Sequence, residues 1–239
     1  MLTANHSKFS KFLFDLYIYP LLKRNFYAIN LIGDIPNTNP EYPIIIAPNH
    51  SSWWDGFFLY LLNEKFFKRK FFIMILESSL EKYSFFRKLG GYSINQESPK
   101  SIVKSLNYTV EQMTDNQQSF FTIFPQGILL PPFISKYNFG KGIDRIVENY
   151  HGKVNLIFLS INIFFLKEEK PEVFFNFSEN IIVDKYNFNS IREFEGIYLH
   201  LNNEIQTQII QDKKGLTISY GKKSISELSK NFFNISTKL

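Results

Sequence analysis

The residues best suited to chemistry in this sequence are His50 and Asp55, in the pattern His-x-x-x-x-Asp. Residues 42–47 form an apolar run with three consecutive isoleucines, which predicts a buried strand that ends just before the histidine. In open α/β sheets, sites form at the carboxyl ends of such strands. A helix capped by Ser51 or Ser52 would place Asp55 in its first turn, within reach of one imidazole nitrogen. The other nitrogen would then be free to take a proton from a substrate hydroxyl.

A second turn follows another apolar run, residues 119–124, and consists of Phe124, Pro125, Gln126 and Gly127. A Pro-x-Gly sequence ends a strand and exposes backbone groups. Strands of one sheet can end at a common edge, so the two turns can meet there. The backbone N–H groups of the second turn, or the Gln126 amide, would suit a developing oxyanion or an acceptor molecule.

At these two turns the sequence resembles the glycerolipid acyltransferase family, whose members make lysophosphatidate, phosphatidate and related lipids. The family's first motif, Asn-His-x-x-x-x-Asp, is matched by Asn49, His50 and Asp55. Its Phe-Pro-Glu-Gly motif is matched over residues 124–127, with Gln126 in place of the glutamate. The resemblance covers roughly residues 25–180, with the motifs in the correct order and spacing.

Two further segments resemble the family less closely. Gly90 and Gln96 bound the best candidate for the family's Gly-x-x-Phe-Ile-x-Arg motif, and Gln96 stands where the family has a phosphate-binding arginine. Residues 154–163 have the hydrophobicity of the family's proline-containing strand, with Ser160 as the replacement for the proline. A glutamine cannot supply the permanently charged, bidentate group of arginine. Basic residues nearby that could compensate are Arg87, Lys88, Lys100 and Lys104.

The resemblance implies an O-acyltransferase that moves a fatty acyl group from acyl-coenzyme A or acyl carrier protein to a lipid hydroxyl, with no further cofactor. His50 would be the general base, and Asp55 would fix its tautomer and stabilise the imidazolium. The implied acceptor is a lysophospholipid such as 1-acylglycerol-3-phosphate, while Gln96 leaves open a lipid alcohol without a phosphomonoester, such as a glycolipid or a pigment glycoside. A non-catalytic lipid-binding relative is the third alternative, and the intact pair argues against it. The residues implied to bind substrate are Gly90, Gln96, Phe124, Pro125, Gln126 and Gly127.

Composition argues against several other chemistries. The chain has no cysteine, which excludes disulfides and a cysteine nucleophile, and its four histidines lack the close spacing of a zinc site, so no metal is expected. A net charge of +5 and an aromatic content of 18% favour membrane lipids, acyl carrier protein or coenzyme A as partners. Nucleic acid is not expected, because the basic residues are dispersed among acidic ones. A genome of low GC content is the alternative source of this composition.

Apolar runs and helix signals alternate along the chain and predict an α/β fold with a mainly parallel sheet flanked by helices. We expect an amphipathic helical segment over residues 1–30, one acyltransferase domain over 31–212 and a polar tail over 213–239. The expected strands lie at 70–76, 91–94, 154–163 and 172–177, and the expected helices at 78–89, 98–113, 141–150 and 191–211.

Residues 9–22 are apolar and aromatic with basic flanks, but Asp15 and Pro20 interrupt them and the run is too short to span a bilayer. The segment also lacks the small-residue cleavage site of a signal peptide. Two interpretations are open: an interfacial anchor lying among lipid headgroups, or an ordinary helix packed on the domain. The first predicts a protein bound peripherally to the cytoplasmic face of a membrane.

Overall fold

A computed structural model describes residues 1–134 and 136–222 of the protein. A nine-stranded sheet forms the centre of this described part. The strands are β1 (Ala28–Ile32), β2 (Ile44–Pro48), β3 (Lys70–Leu76), β4 (Gly91–Ile94), β5 (Ser119–Thr122), β6 (Val154–Phe164), β7 (Glu172–Phe177), β8 (Ile181–Val183) and β9 (Leu216–Tyr220). Their order across the sheet is β4-β3-β5-β2-β6-β7-β1-β9, with β8 also paired to β6. The predicted strands at 70–76, 91–94 and 172–177 therefore have the expected bounds.

The first five strands in that order all run parallel, and the other side of the sheet is mixed. There β7 and β8 are antiparallel to β6, β1 is parallel to β7, and β9 is antiparallel to β1. The central strands β2 and β5 are buried along their whole length, as strands covered on both faces must be. Of the antiparallel pairs, only β6 and β7 are consecutive strands, whereas β9 returns from residues 216–220 to pair with β1.

Helices cover both faces of the sheet. Helices α1 (Lys8–Asn25) and α2 (Asp55–Leu62) share a core with Ile44 and Ile46 of β2, and we call this side the α1/α2 face. Ile45 and Ala47 point to the opposite side, the α4–α6 face, and share a second core with its helices. The helices of that face are α4 (Pro99–Asp115), α5 (Gly142–Asn149) and α6 (Ile197–Ile210).

Two of the predicted helices are divided in the structure. Residues 78–89 form the short helix α3 (Glu77–Lys82) and then a 3-10 helix, Ser84–Leu89, because Tyr83 leaves the helical region with φ −119° and ψ 56°. Residues 191–211 likewise form a 3-10 helix, Ile191–Phe194, followed by α6. Sequence periodicity detected each helical region but not the local change of backbone conformation within it.

Helix α1 has two apolar faces. Phe14, Ile18 and Leu22 are buried in the core of the α1/α2 face. The other side of the helix carries large side chains that are exposed: Phe9, Phe12, Leu13, Leu16 and Tyr17. The helix therefore packs on the domain and still presents an apolar surface. In the part of the chain that the structure describes, no helix has the length and apolarity needed to cross a membrane.

Polar contacts fix the rotation of α1. Tyr60 of α2 donates its hydroxyl to Asp15 Oδ1 at 2.6 Å, and burial, together with this carboxylate, raises the pKa of Tyr60 so that the hydroxyl keeps its proton. Lys11 Nζ lies 3.3 Å from Asp15 and 2.6 Å from Glu64. These contacts explain how an aspartate fits within an apolar helix, and they hold its outer face toward solvent.

The predicted domain boundaries cut through the sheet. Strand β1 begins at Ala28, inside the segment expected to be helical, and β9 lies inside the expected polar tail. Lys214 Nζ binds both carboxylate oxygens of the buried Glu172 on β7, at 2.7 and 3.0 Å, which holds the start of this tail against the sheet. The expectation of a loosely docked tail is therefore wrong for residues 216–220. Residues 223–239 of the tail lie outside the described residues.

Candidate active site

His50 and Asp55 meet at the carboxyl end of β2. His50 Nδ1 lies 2.8 Å from Asp55 Oδ2, and the same oxygen accepts the backbone N–H groups of Ser51 and Ser52 at 2.9 Å each. Asp55 is fully buried, whereas the side chain of His50 is 26% exposed. The carboxylate fixes the tautomer in which Nδ1 carries the hydrogen. Among the described residues none hydrogen-bonds to Nε2, so this nitrogen is available to a substrate.

Helix α2 begins at Asp55 itself, and the prediction that Ser51 or Ser52 caps it is wrong. Trp54 occupies the N-cap position, and no side chain caps the helix there. The Ser52 hydroxyl instead accepts the N–H of Trp54 at 3.1 Å. Residues 49–54 thus form a turn, the His50 turn, that folds around the Asp55 carboxylate. The Asp55 carboxylate accepts N–H groups that precede it in the chain. It therefore stabilises the His50 turn, and no serine caps the helix.

Asn49 joins the His50 turn to β6. Its Oδ1 accepts the N–H of Ile161 at 2.6 Å, and its Nδ2 donates to the Ile161 carbonyl at 3.0 Å. Asn49 is buried, so an apolar residue in its place would leave both peptide groups unpaired. The asparagine of the motif therefore positions His50, a role that its place in the motif did not reveal.

The second turn packs directly against His50. The ring of Phe124 stacks on the imidazole, with centroids 4.1 Å apart and an interplanar angle of 28°. Gln126 Oε1 accepts the backbone N–H of His50 at 3.0 Å, and the His50 carbonyl accepts the N–H of Leu130 at 2.8 Å. The two turns singled out in the sequence therefore form one site.

The second turn is also tied to the loop that carries Gln96. Gly127, with φ 69°, closes the turn, and its carbonyl accepts a hydrogen bond from Gln96 Nε2 at 2.6 Å. The Pro125 carbonyl accepts the N–H of Gly140 at 2.8 Å. Because the oxygen of Gln126 is occupied by His50, only its Nε2 is free; that atom is buried and has no partner in the described residues. The loops after β2, β4 and β5 thus meet at one edge of the sheet.

Gly90 does not lie at this site. Its neighbour Gly91 begins the edge strand β4, in register with Ile73 of β3, at the end of β4 away from Gln96. Gly90 has φ 106°, and a Cβ at this position would lie 2.0 Å from the carbonyl oxygen of Phe71. The structure therefore gives no support to substrate binding by Gly90, and it shows a backbone reason for the glycine.

Gly90→Ala is expected to destabilise the protein and to leave substrate binding unchanged. A side chain at positive φ costs about 1–2 kcal/mol, and the contact with Phe71 adds to that cost. Urea unfolding measures the loss. Gly196→Ala is the control, because Gly196 has φ −69° and its Cβ would meet nothing within 4 Å. Wild-type stability together with a raised KM would contradict this assignment and return Gly90 to the site.

Ser160, the residue in place of the family's proline, belongs to a buried polar network on the α4–α6 face. Its hydroxyl donates to Asn202 Oδ1 and accepts from Asn162 Nδ2, the latter at 2.8 Å. Asn202 Nδ2 in turn donates to the hydroxyl of Tyr137 at 2.9 Å. Sequence reasoning missed Asn162, Asn202 and Tyr137, because they come from separate parts of the chain and share no local motif.

An aromatic surface leads away from His50 along the α1/α2 face. The exposed Trp53 packs on Phe57 with centroids 4.7 Å apart, and Phe57 contacts Phe86 and Phe14 at 6.0 and 6.1 Å. Beside these rings lies a groove of about 370 Å³. Its lining residues are Phe14, Tyr17, Lys82, Tyr83, Ser84, Phe85 and Phe86. A surface of this kind suits a hydrocarbon chain.

The other three histidines have local partners. His6 Nε2 lies 2.8 Å from the Phe71 carbonyl, His151 lies 3.4 Å from Lys185 Nζ, and His200 lies 3.4 Å from Glu204. Across residues 1–134 and 136–222, no three histidine, aspartate or glutamate side chains come together as metal ligands would.

A sequence model of the Acyltransferase family matches residues 31–161, a range that contains both turns. Among solved structures, the chain is similar to the 1-acyl-sn-glycerophosphate (LPA) acyltransferase PlsC from Thermotoga maritima, with a TM-score of 0.50 and 15% identity over 84% of this chain and 78% of that chain. No curated protein matches the sequence. At this identity the likeness shows a shared fold, and the predicted mainly parallel sheet flanked by helices is confirmed.

Proposed function

Because this chain belongs to the acyltransferase family, we propose that it moves a fatty acyl group from an acyl thioester to the hydroxyl of a membrane lipid. The observation that carries the proposal is the 2.8 Å contact between His50 Nδ1 and the buried Asp55, which leaves Nε2 for the acceptor hydroxyl. The proposed donor is acyl-coenzyme A or acyl carrier protein. Both are anionic and both present the same thioester, and the net charge of +5 favours either one.

In the proposed reaction the acceptor hydroxyl gives its proton to His50 Nε2 while its oxygen attacks the acyl carbonyl carbon. The C–O bond forms, the C–S bond breaks, and the proton on His50 passes to the leaving thiolate. Asp55 stabilises the imidazolium between these two transfers. The oxyanion would be stabilised by Gln126 Nε2 or by a backbone N–H of the second turn. No covalent enzyme intermediate is needed.

The outer face of α1 supports binding at a membrane surface. Its exposed apolar side chains lie between basic residues at both ends of the helix, among them Lys8, Lys23 and Arg24. This combination favours the headgroup region of an anionic bilayer. Phe14 and Tyr17 of α1 also line the groove that adjoins the aromatic surface leading from His50. We therefore place the protein peripherally on the cytoplasmic face of a membrane, where its lipid acceptor can enter from that surface.

For the acceptor, the first candidate is a lysophospholipid such as 1-acylglycerol-3-phosphate. The family resemblance and the shared fold with the Thermotoga maritima LPA acyltransferase support it. A lipid alcohol without a phosphomonoester, such as a glycolipid or a pigment glycoside, is the second candidate. One observation favours the second: Gln96 is uncharged, and its Nε2 already donates to the Gly127 carbonyl.

Gln96→Arg is expected to shift acceptor preference toward the phosphorylated lipid. A charge-assisted hydrogen bond contributes about 1.5–3 kcal/mol, so the ratio of kcat/KM for 1-acylglycerol-3-phosphate over a monoacylglycerol of the same chain length should rise at least tenfold. Both acceptors are assayed with acyl-coenzyme A and with acylated acyl carrier protein as donors. Gln211→Arg is the control, because it adds the same charge at an exposed position after α6.

The wild-type protein in the same assay decides between the candidates. A strong preference for 1-acylglycerol-3-phosphate would mean that other basic residues have replaced the missing arginine, and the second candidate would be wrong. Equal use of both acceptors would support the second candidate. A folded protein that acylates no acceptor with either donor would contradict the proposed enzyme and indicate a non-catalytic lipid-binding relative.

A further inference from the structure

Besides Gln126 Nε2, two buried polar atoms near His50 have no hydrogen-bond partner in the described part of the protein. One is Asp55 Oδ1, the carboxylate oxygen that does not contact His50. The other is the hydroxyl oxygen of Thr122, at the end of β5. Both residues are fully buried. Buried polar atoms are nearly always paired. We therefore asked whether the Thr122 hydroxyl lies on the side of Asp55 that carries Oδ1.

The strand order places Thr122 beneath the start of α2. Strand β5 lies between β3 and β2, and Thr122 is in register with Ile73 on one side and Ile46 on the other. Partners in a parallel pair carry their side chains on the same face, and Ile46 lies on the α1/α2 face. Gly56, next to Asp55, lies so close to Ile73 that a Cβ on it would be 3.3 Å from that side chain. The first turn of α2 therefore passes over β5 at Thr122.

The contact between Phe124 and His50 independently supports this placement of Thr122. Phe124 follows Thr122 by two residues and stacks on His50, whose Nδ1 contacts Asp55. Residues two apart on a strand share a face and are separated by about 7 Å. Thr122 therefore lies on the side of Asp55 that faces the sheet, away from the His50 turn.

We infer that Thr122 is a positioning residue for the proposed acyl transfer, with its hydroxyl donating a hydrogen bond to one buried water molecule that in turn donates to Asp55 Oδ1. The inference rests on the proposed function, since Thr122 acts only through Asp55 and His50. The three donors to Oδ2 all come from the His50 turn. A donor from β5 to Oδ1 fixes the carboxylate from the other side and couples it to the rigid sheet. Gln126 Nε2 is also unpaired, but it lies on the second turn and not on β5. A partner for Gln126 Nε2 would still leave the Thr122 hydroxyl without one.

Thr122→Val tests this inference, because valine keeps the shape of the side chain and removes the hydroxyl. We expect kcat to fall about tenfold with KM unchanged, which is the effect of losing one net hydrogen bond to a charged group. Thr122→Ser should restore kcat, because serine returns the hydroxyl. Ser119→Ala is the matched control: Ser119 lies on the same strand, and its hydroxyl is also buried and unpaired, but it sits at the end away from His50.

Wild-type kcat in folded Thr122→Val would overturn the inference, and so would an equal loss in Ser119→Ala or a failure of Thr122→Ser to restore activity. If the valine variant does not fold, Thr122→Ala removes the same hydroxyl without adding a methyl group in its place, and the same outcomes apply. The proposed function is tested separately by substitution of His50. Full activity of Thr122→Val together with an inactive, folded His50 variant would reject the role of Thr122 and leave the acyl transfer mechanism standing.

Discussion

We expect His50→Ala to lower kcat by about 10²- to 10⁴-fold, the range that a positioned general base contributes. The reason is geometric: Nε2 of His50 is the open nitrogen at the site, and Nδ1 is already committed to Asp55 at 2.8 Å. The fold should survive, because the imidazole is partly exposed and, among the described residues, stacks only on the ring of Phe124. Steady-state kinetics with either thioester donor measures the loss, and thermal unfolding confirms that the variant is folded.

Asp55→Asn is expected to lower kcat by a similar factor, because it removes the charge that stabilises the imidazolium and the tautomer control that the carboxylate exerts. Asp34→Asn is the matched control, since Asp34 is exposed and lies between β1 and β2. Turnover at the wild-type rate in a folded His50→Ala protein would reject the general-base mechanism. Loss of activity in Asp34→Asn as large as in Asp55→Asn would show a general effect of charge.

The second large effect is expected at the outer face of α1. Replacing Phe9, Phe12 and Leu16 together by serine should reduce binding to vesicles of anionic phospholipid more than 100-fold. Even about 1 kcal/mol for each side chain that enters the lipid would produce that change. These three side chains are 70%, 58% and 61% exposed, so the substitutions leave the core intact. Cosedimentation with vesicles at low and high salt measures the binding.

The control for this experiment replaces two exposed apolar residues of α6, Leu199 and Ile210, by serine on the opposite face of the sheet. Its vesicle binding should equal that of the wild type. Deleting α1 would not be a clean test, because Phe14, Ile18 and Leu22 of the same helix belong to the core. Unchanged binding by the triple variant would move the membrane contact to another surface of the protein.

The sequence predicted those features that depend on local patterns. Apolar runs marked the buried strands, and the residue types at two strand ends marked His50, Asp55 and the second turn. Their meeting followed from the parallel arrangement, since parallel strands that end at one edge bring their following loops together. In the structure the two turns are joined by a hydrogen bond, in which the backbone N–H of His50 donates to Gln126 Oε1.

What the sequence did not predict depends on contacts between distant residues. Strand β9 was assigned to a polar tail because clusters of lysine and glycine flank it at residues 213–215 and 221–223, and its pairing with β1 makes it a strand. Gly90 was assigned to the site by its place in a motif, whereas a carbonyl in β3 decides its role. The network around Ser160 and the position of Thr122 likewise follow from packing across the sheet, which no local pattern encodes.

The pairing of β1 has a consequence for how the chain folds as it leaves the ribosome. Both neighbours of β1, β7 and β9, come from the last third of the sequence. At about 5–20 residues per second, the roughly 140 residues between β1 and β7 take about 7–28 s to synthesise. Throughout that interval β1 lacks a hydrogen-bonding neighbour, while α1 has already emerged with its apolar side chains. Under the membrane binding proposed above, α1 can therefore attach to the bilayer before the sheet is complete.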